Sequence, residues 1–340
     1  MNGTYIGRLA QDDPVLSFLQ HDLKKEIEGA TDTSSYRVFK LNGSNDVYMY
    51  EDRNTGKKLI GKFFLTSTMQ DTATADSHLT REFDSLCMMR DTGLTGDPHN
   101  VVKPLGFNHA LNALLITECF EGKLLSAVIL EAIRSGEPGE LYAKLTALAY
   151  FMSQFHNRTA TGLGVDFQQD CDYFDTLIAR LLAIEAILDS EVANWHGLRD
   201  QWRTLPRMWQ DQQVYVHGDA TPDNFMFGSG LNVMTFDLER SKRADRVFDI
   251  GRIAGELKHF FMRATGDKHA AEPFIGHFLW EYACHFPDRS SAFASITGRI
   301  PFYMGMTLLR IARNSWVDNG HRHRLIDEAK ACLRSYQDEH

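Results

Sequence analysis

Cysteine is scarce and scattered in this chain. Cys87, Cys119, Cys171, Cys284 and Cys332 are odd in number and form no C-x-x-C pair, which excludes a disulfide framework and a zinc site built on paired cysteines and points to a reducing cytoplasm. Long apolar runs are missing too: none approaches the roughly 18 residues needed to cross a bilayer. The start, Met1-Asn2-Gly3-Thr4, has no basic segment leading into an apolar core. The expectation is a soluble, unprocessed, cytoplasmic protein with no membrane partner. Basic residues are in deficit, 36 Lys and Arg against 45 Asp and Glu, for a formal net charge of -9. That argues against a broad basic surface and against nucleic acid as a partner. Neither G-x-x-x-x-G-K-[ST] nor G-x-S-x-G occurs, which removes P-loop and serine-hydrolase chemistry. No repeat or low-complexity segment is visible.

What remains is an ordinary globular composition, 43% hydrophobic and 24% charged over 340 residues, long enough for one large core or two modest ones. Val15, Leu16, Leu19, Leu23 and Ile27 recur at helical spacing, with Asp12 or Asp13 placed to cap and Pro14 in the first turn. They predict a leading helix over 12–29. Residues 36–65 alternate and are broken at Asn42-Gly43 and Asn54-Thr55-Gly56, as an antiparallel sheet would be. A helix over 80–89 and a buried strand over 112–119 follow, then the Glu121-Gly122 turn. Beyond Gly122 helical patterns dominate, at 124–134, 140–156, 173–188, 250–264, 271–284, 303–314 and 325–336. Val214–Val216 and Val233–Phe236 are the short apolar interruptions. A β-rich part followed by a mostly helical part is an α+β organisation with two lobes. The boundaries expected are 1–35 for a helical extension, 36–117 for the first lobe and 118–340 for the second.

The strongest chemical signal is the run from Val216 to Phe227, containing His217-Gly218-Asp219 and Asn224, followed by Phe236-Asp237-Leu238-Glu239. Phosphoryl transfer needs one carboxylate near the attacking hydroxyl and oxygen ligands that hold magnesium against the triphosphate. Asp219, Asn224 and Asp237 are those residue types. Their order and spacing match the kinase catalytic loop and D-F-G template, with His-Gly-Asp in place of His-Arg-Asp. A single such cluster would be an ordinary Asp- and Asn-rich turn, but two clusters in this order and at this separation are harder to produce by chance.

This segment resembles the aminoglycoside phosphotransferase and choline kinase family, whose signature is H-G-D-x-x-x-x-N followed by a metal-binding Asp, and the resemblance extends over about residues 36–257. It implies a two-lobed protein-kinase-like fold, with a small antiparallel sheet in the N-lobe and a larger, mostly helical C-lobe. The implied activity is transfer of the ATP γ-phosphoryl, with GTP as an alternative donor and Mg2+ as cofactor, to a hydroxyl of a small molecule. By resemblance Asp219 is the catalytic base, His217 is a catalytic-loop residue that holds the loop, Asn224 and Asp237 are magnesium ligands, and Asp249 supports the loop. The resemblance also asks for a strand lysine and a helix glutamate, which Lys62 and Glu82 supply. Asp84 is the rival carboxylate, but two residues apart on a helix it points away from Glu82. Glu118 carbonyl and Phe120 amide would read the adenine edge, although a plain strand-to-helix turn accounts for the same residues. The phosphate loop corresponds to Lys40–Asn45, where only Gly43 survives of the usual glycines, with Ser44 as an added donor; a plain hairpin turn is the alternative.

The acceptor is open among aminoglycosides, amino alcohols, sugars and modified bases, with a cationic one among the options. Glu239, Asp245, Asp318 and Trp316 are candidates for it by position. His321-Arg322-His323 is expected to be a solvated run before a helix rather than a metal site. The competing readings are a protein kinase and a nucleotide-binding pseudokinase scaffold. Gly218 in place of Arg and the lack of an Ala-Pro-Glu segment after Asp237 count against the first. The intact set Lys62, Asp219, Asn224 and Asp237 counts against the second.

Overall fold

The computed structural model describes residues 3–41 and 46–337. The chain forms two compact units, one made of Met1–Lys123 and Met226–Arg240, the other of Leu124–Phe225 and Ser241–His340. The class is α+β, as the alternation of 36–65 and the helical periodicity beyond Gly122 require.

The first unit opens with β1 (Thr4–Arg8), α1 (Pro14–Ser17), β2 (Tyr36–Lys40), β3 (Asp46–Asp52) and β4 (Lys58–Phe63). It continues through α2 (Thr72–Asp91), β5 (Thr95–Gly96), β6 (His99–Val101), β7 (Pro104–Asn108) and β8 (Leu114–Glu118). Six strands form one antiparallel sheet in the order β1-β2-β3-β4-β8-β7. The leading helix is shorter than its periodicity predicts. Asp13 caps it by accepting from the Val15 amide at 2.8 Å, but beyond Ser17 the chain widens into a turn closed by Leu23 N donating to Phe18 O. The apolar positions are nonetheless all buried: Val15, Leu16, Leu19, Leu23 and Ile27 form one cluster with Tyr36, Val38, Tyr50, Leu59, Leu105, Leu114 and Ile116 of the sheet. Each such side chain contributes about 1.5–3 kcal/mol on burial, so packing on the sheet holds these positions where the α-helical ladder gives way to a π turn over Phe18–Asp22. Because side chains alternate along a strand, Leu59 of β4 faces this cluster and Lys62 faces away.

The second unit begins at Leu124, within β9 (Lys123–Leu124), and contains α3 (Leu125–Ser135), α4 (Gly139–Asn157), α5 (Gln168–Ala183), α6 (Asp189–Arg203) and β10 (Val214–Val216), after which the chain crosses into the first unit at β11 (Phe225–Phe227). The chain then makes β12 (Val233–Thr235) of the first unit. It returns through β13 (Lys242–Ala244), α7 (Val247–Thr265), α8 (Glu272–Ala283), α9 (Arg289–Thr297), α10 (Ile300–Ala312) and α11 (Asn319–Arg334). Aromatic rings build much of the helical core: Phe302 stacks against Phe174 and meets Phe167 edge-on. Helices α7 and α10 pack unusually close, because a Cβ added at Gly251 would lie 2.3 Å from Tyr303 Cβ and 3.2 Å from the Tyr303 carbonyl carbon. Gly255, one turn on, meets Thr307 in the same way, at 2.8 Å. We expect Gly251→Ala to cost about 1–3 kcal/mol by overpacking this seam. A thermal melt checks it, and an unchanged melting temperature would mean that the helices separate freely.

Candidate active site

In the first unit, Lys62 sits in the middle of the sheet, opposite Val47 of β3 and Leu115 of β8. Its ammonium reaches Glu82 Oε2 of α2 at 2.6 Å, Asp237 Oδ1 at 2.6 Å and Glu239 Oε2 at 3.3 Å. Asp71 caps α2 by accepting from Thr74 N, and the helix carries Glu82 over the face of the sheet opposite the apolar cluster. Asp237 arrives by another route. β11 and β12 form a hairpin closed by Gly228 N donating to Asn232 O at 3.0 Å. β12 then pairs in parallel with β6, and Asn100 Nδ2 donates to Asn232 Oδ1 at 2.9 Å. Two residues past β12 the backbone turns left-handed at Asp237, with φ 65. For a non-glycine residue that costs about 1–3 kcal/mol and is typical of functional sites.

Burial pulls the Lys62 ammonium down, but Asp237, Glu82 and Glu239 together outweigh it and hold the group above its ordinary value. Burial pushes Glu82 up to about 7, with Lys62 pulling it down and Asp237 adding to the rise. Among the described residues, Glu82, Asp237 and Glu239 each bring a carboxylate oxygen within 4.8 Å of the others. Three carboxyls around one ammonium leave negative charge over, and hard oxygen donors of this kind suit a divalent magnesium-like ion. Glu239, assigned by position to the acceptor, belongs with Lys62 instead. It stands two residues after the left-handed turn at Asp237, on the same side of the first unit. At the end of β8, Glu118 keeps strand pairing through its amide, which donates to Lys103 O, while its carboxylate accepts from Lys103 N at 2.8 Å. Phe120 packs beside Gly122 and Gly228. Gly43 and Ser44 lie outside the described residues.

In the second unit the His217-Gly218-Asp219 loop leaves β10, which pairs with β13. Gly218 has φ 78, a conformation that an arginine would adopt only under strain, so glycine here follows from the loop's shape. Asp249 of α7 holds the loop from below. Its carboxylate accepts from His217 N at 2.6 Å and Gly218 N at 3.0 Å, and Oδ2 also meets His156 Nε2 at 3.1 Å. His156 Nδ1 pairs in turn with the Tyr282 hydroxyl at 2.8 Å. Burial would raise the Asp249 carboxyl, but the hydrogen bonds it accepts from His156 and the His217 amide more than reverse this and hold it low. Burial also keeps His156 below its usual value, which suits a neutral ring donating from Nε2 and accepting at Nδ1. His217 is fully buried and accepts from Asp219 N through Nδ1 at 3.3 Å, while Asn224 Nδ2 donates to Asp219 O at 2.8 Å. The Asp219 carboxylate is held by two arginines, Arg252 of α7 at 3.0 Å and Arg310 of α10 at 2.5 Å, both on Oδ1.

Asp249→Asn replaces one acceptor oxygen by a donor facing a backbone amide. We expect a stability loss of about 1–3 kcal/mol from the unsatisfied group. Because the folded carboxyl titrates below the ordinary 3.8, the stabilisation is complete above that pH and is lost as pH falls through the folded value. Urea unfolding at pH 7 and pH 3 should show a large difference between variant and parent at the first and a smaller one at the second. Equal differences at both would contradict an ionised Asp249.

Two of the positional candidates for the acceptor have other work. Asp318 caps α11, accepting from His321 N at 2.9 Å. Asp245 is buried against Arg299, 2.5 Å away. His321 lies inside α11 rather than before it, is 1% exposed and bonds to His259 Nδ1 at 3.0 Å, so it is not solvated. Trp316 lines a cavity with Arg263, Arg310 and Glu256. Arg252, Arg310 and His156 carried no signal in the sequence, since each is one of many such residues on helical faces.

A six-stranded antiparallel sheet with a lysine–glutamate pair, and a helical unit bearing an H-G-D loop, define a phosphotransferase of the protein-kinase-like class. The profile of the phosphotransferase enzyme family matches residues 35–285, and the chain belongs to that family. No curated protein matches the sequence. Solved structures share the fold at low identity. The streptomycin-ATP ternary complex of APH(2")-IIa is similar at 11% identity and TM-score 0.56, covering 95% of this chain and 97% of that one. The ethanolamine kinase of Plasmodium vivax is similar at 13% and 0.62, covering 95% and 88%. Choline kinase LicA from Streptococcus pneumoniae is similar at 15% and 0.53, covering 95% and 99%.

Proposed function

We propose that this protein transfers the γ-phosphoryl group of ATP, with Mg2+, to a hydroxyl of a freely diffusing small molecule. The observation that carries the reading is the Lys62 ammonium shared at 2.6 Å by a helix glutamate and by the aspartate of the second motif, the lysine pairing on which kinase phosphate binding depends. Lys62, positioned by Glu82, binds and orients the phosphates, with Glu118 carbonyl and Phe120 amide at the base edge; GTP is the alternative donor. Asp237 and Asn224 would hold magnesium, which neutralises charge on the phosphates when bound, and the oxygen-rich cluster around Asp237 is chemically suited to it. Asp219 takes the proton of the acceptor hydroxyl as its oxygen bonds to phosphorus and the bond to the leaving diphosphate breaks. His217 and Asp249 position that loop. Aminoglycosides, amino alcohols and sugars all fall within the reading. The helices around the cavity near Trp316 are the proposed acceptor region, and the reduced cysteines agree with a cytoplasmic setting.

Only eleven residues separate Asp237 from Asp249, and three of them form β13. That favours a small acceptor over a protein, because a peptide platform needs an ordered activation segment there. The test is incubation with labelled ATP and magnesium, alongside either a deproteinised metabolite extract or a degenerate peptide library. Label is expected in small molecules. Label confined to peptides would overturn the reading.

A further inference from the structure

Within the second unit, the turn after the Asp219 loop, α3, α7 and α10 enclose a cavity of about 640 Å³. Its walls carry two guanidinium groups, Arg263 and Arg310, and two carboxyls, Asp223 and Glu256. Both carboxyls are already engaged. Asp223 accepts from the Ser126 hydroxyl at 2.5 Å. Burial lifts Glu256 to about 7, with Arg310 and Arg252 pulling it down and Asp219 and Asp223 adding to the rise, so near neutrality it carries about half a charge. His259, also in the wall, is pulled down to about 4 by burial and by His321 and Arg263, and is neutral.

Two cations converge at one end. Arg310 and Arg252 crowd the same oxygen of Asp219, and the Nε of each is buried with no hydrogen-bond partner. Arg310 also stands 3.6 Å from Glu256, but with that carboxyl raised by burial the two desolvated guanidinium groups share little more than one full carboxylate charge, an arrangement that costs stability unless another anion joins them. Arg263 stands at the other end of the cavity with its guanidinium 5.4 Å from the ring centroid of Trp316.

We propose that the acceptor alcohol also carries an anionic group, a carboxylate or a phosphate, which Arg310 and Arg263 bind in this cavity while its carbon frame lies against Trp316. This rests on the kinase reading and narrows it. An anion engaging Arg310 draws one guanidinium from Asp219, and the carboxylate so released is the stronger base. The charge of the acceptor thereby completes the site that acts on its hydroxyl. A cationic acceptor meets Arg263 and Arg310 with like charge.

The experiment supplies labelled ATP and magnesium with a panel of small alcohols matched in size. Its four arms are hydroxy acids, phosphorylated alcohols, neutral polyols and amino alcohols, for the parent protein and for Arg263→Gln and Arg310→Gln. Transfer is expected to be fastest in one of the two anionic arms, and which arm it is tells carboxylate from phosphate. Arg263→Gln is expected to raise KM for that acceptor by about 10-fold or more, the scale of a lost charged hydrogen bond, with KM for ATP and the melting temperature unchanged. A purely structural role for Arg263 would move the melting temperature instead. Preference for amino alcohols or polyols, or an acceptor KM unmoved in both variants, overturns the inference and leaves the kinase reading standing. Transfer to no alcohol of any charge overturns both.

Discussion

Asp219→Asn is expected to reduce phosphoryl transfer by about 10²–10⁴ while nucleotide binding stays nearly intact. The side chain keeps its shape, and Asn Oδ1 still accepts from Arg252 and Arg310, so the loop geometry should survive. What disappears is the ability to take a proton from the acceptor. The backbone ties of the loop do not depend on the carboxylate: His217 Nδ1 still accepts from the amide of residue 219, and Asn224 still donates to its carbonyl. Turnover with any working acceptor, measured beside a nucleotide titration, separates the two effects. Turnover equal to the parent's would remove Asp219 from the chemistry. Loss of nucleotide binding to the same degree would show that the substitution had collapsed the loop.

Asp237→Ala is expected to weaken magnesium-nucleotide binding by at least about 10–100-fold, the range seen when even the surroundings of a metal ligand are disturbed, and metal-free nucleotide binding far less. Calorimetry with and without EDTA measures both. The left-handed backbone at this position, φ 65, offers an internal control. Asp237→Gly loses the same carboxylate but accepts that φ without strain, so it should melt higher than Asp237→Ala while binding magnesium-nucleotide as poorly. If the glycine variant recovers the binding, the aspartate is there for the turn rather than for the metal.

How much of this could be read from the sequence depended on whether a residue's role is local or collective. The H-G-D loop and Asp237 stand out in the sequence because fixed spacing along the chain is itself the signal. Lys62 and Glu82 were legible because a strand and the helix after it place them by periodicity, and the structure puts them 2.6 Å apart. Helix α2 begins at Thr72, well before the 80–89 expected, since Thr72, Thr74, Asp76 and Ser77 are weak helix formers and only the Asp71 cap announces the start. The leading helix erred the other way: its apolar spacing reported burial correctly but not hydrogen bonding, and the chain passes through a π turn over Phe18–Asp22 into irregular turns. Glu239 was sent to the acceptor and belongs with Lys62, where its reach across the sheet face decides the matter. Arg252 and Arg310 converge on Asp219 from different helices, and convergence of that kind has no signature in one sequence.

The first unit is discontinuous in the chain. Strand β6 has β5 on one side, and on the other it waits for β12, which lies more than a hundred residues later. During synthesis the open edge at His99–Val101 stays unpaired until the ribosome has released Val233–Thr235, so the small unit begins first but cannot close until Leu124–Phe225 of the other unit has been made. An unpaired edge is a template for pairing with other chains. A fragment cut at Lys123 would keep that edge permanently, along with a Lys62 lacking two of its three carboxylate partners.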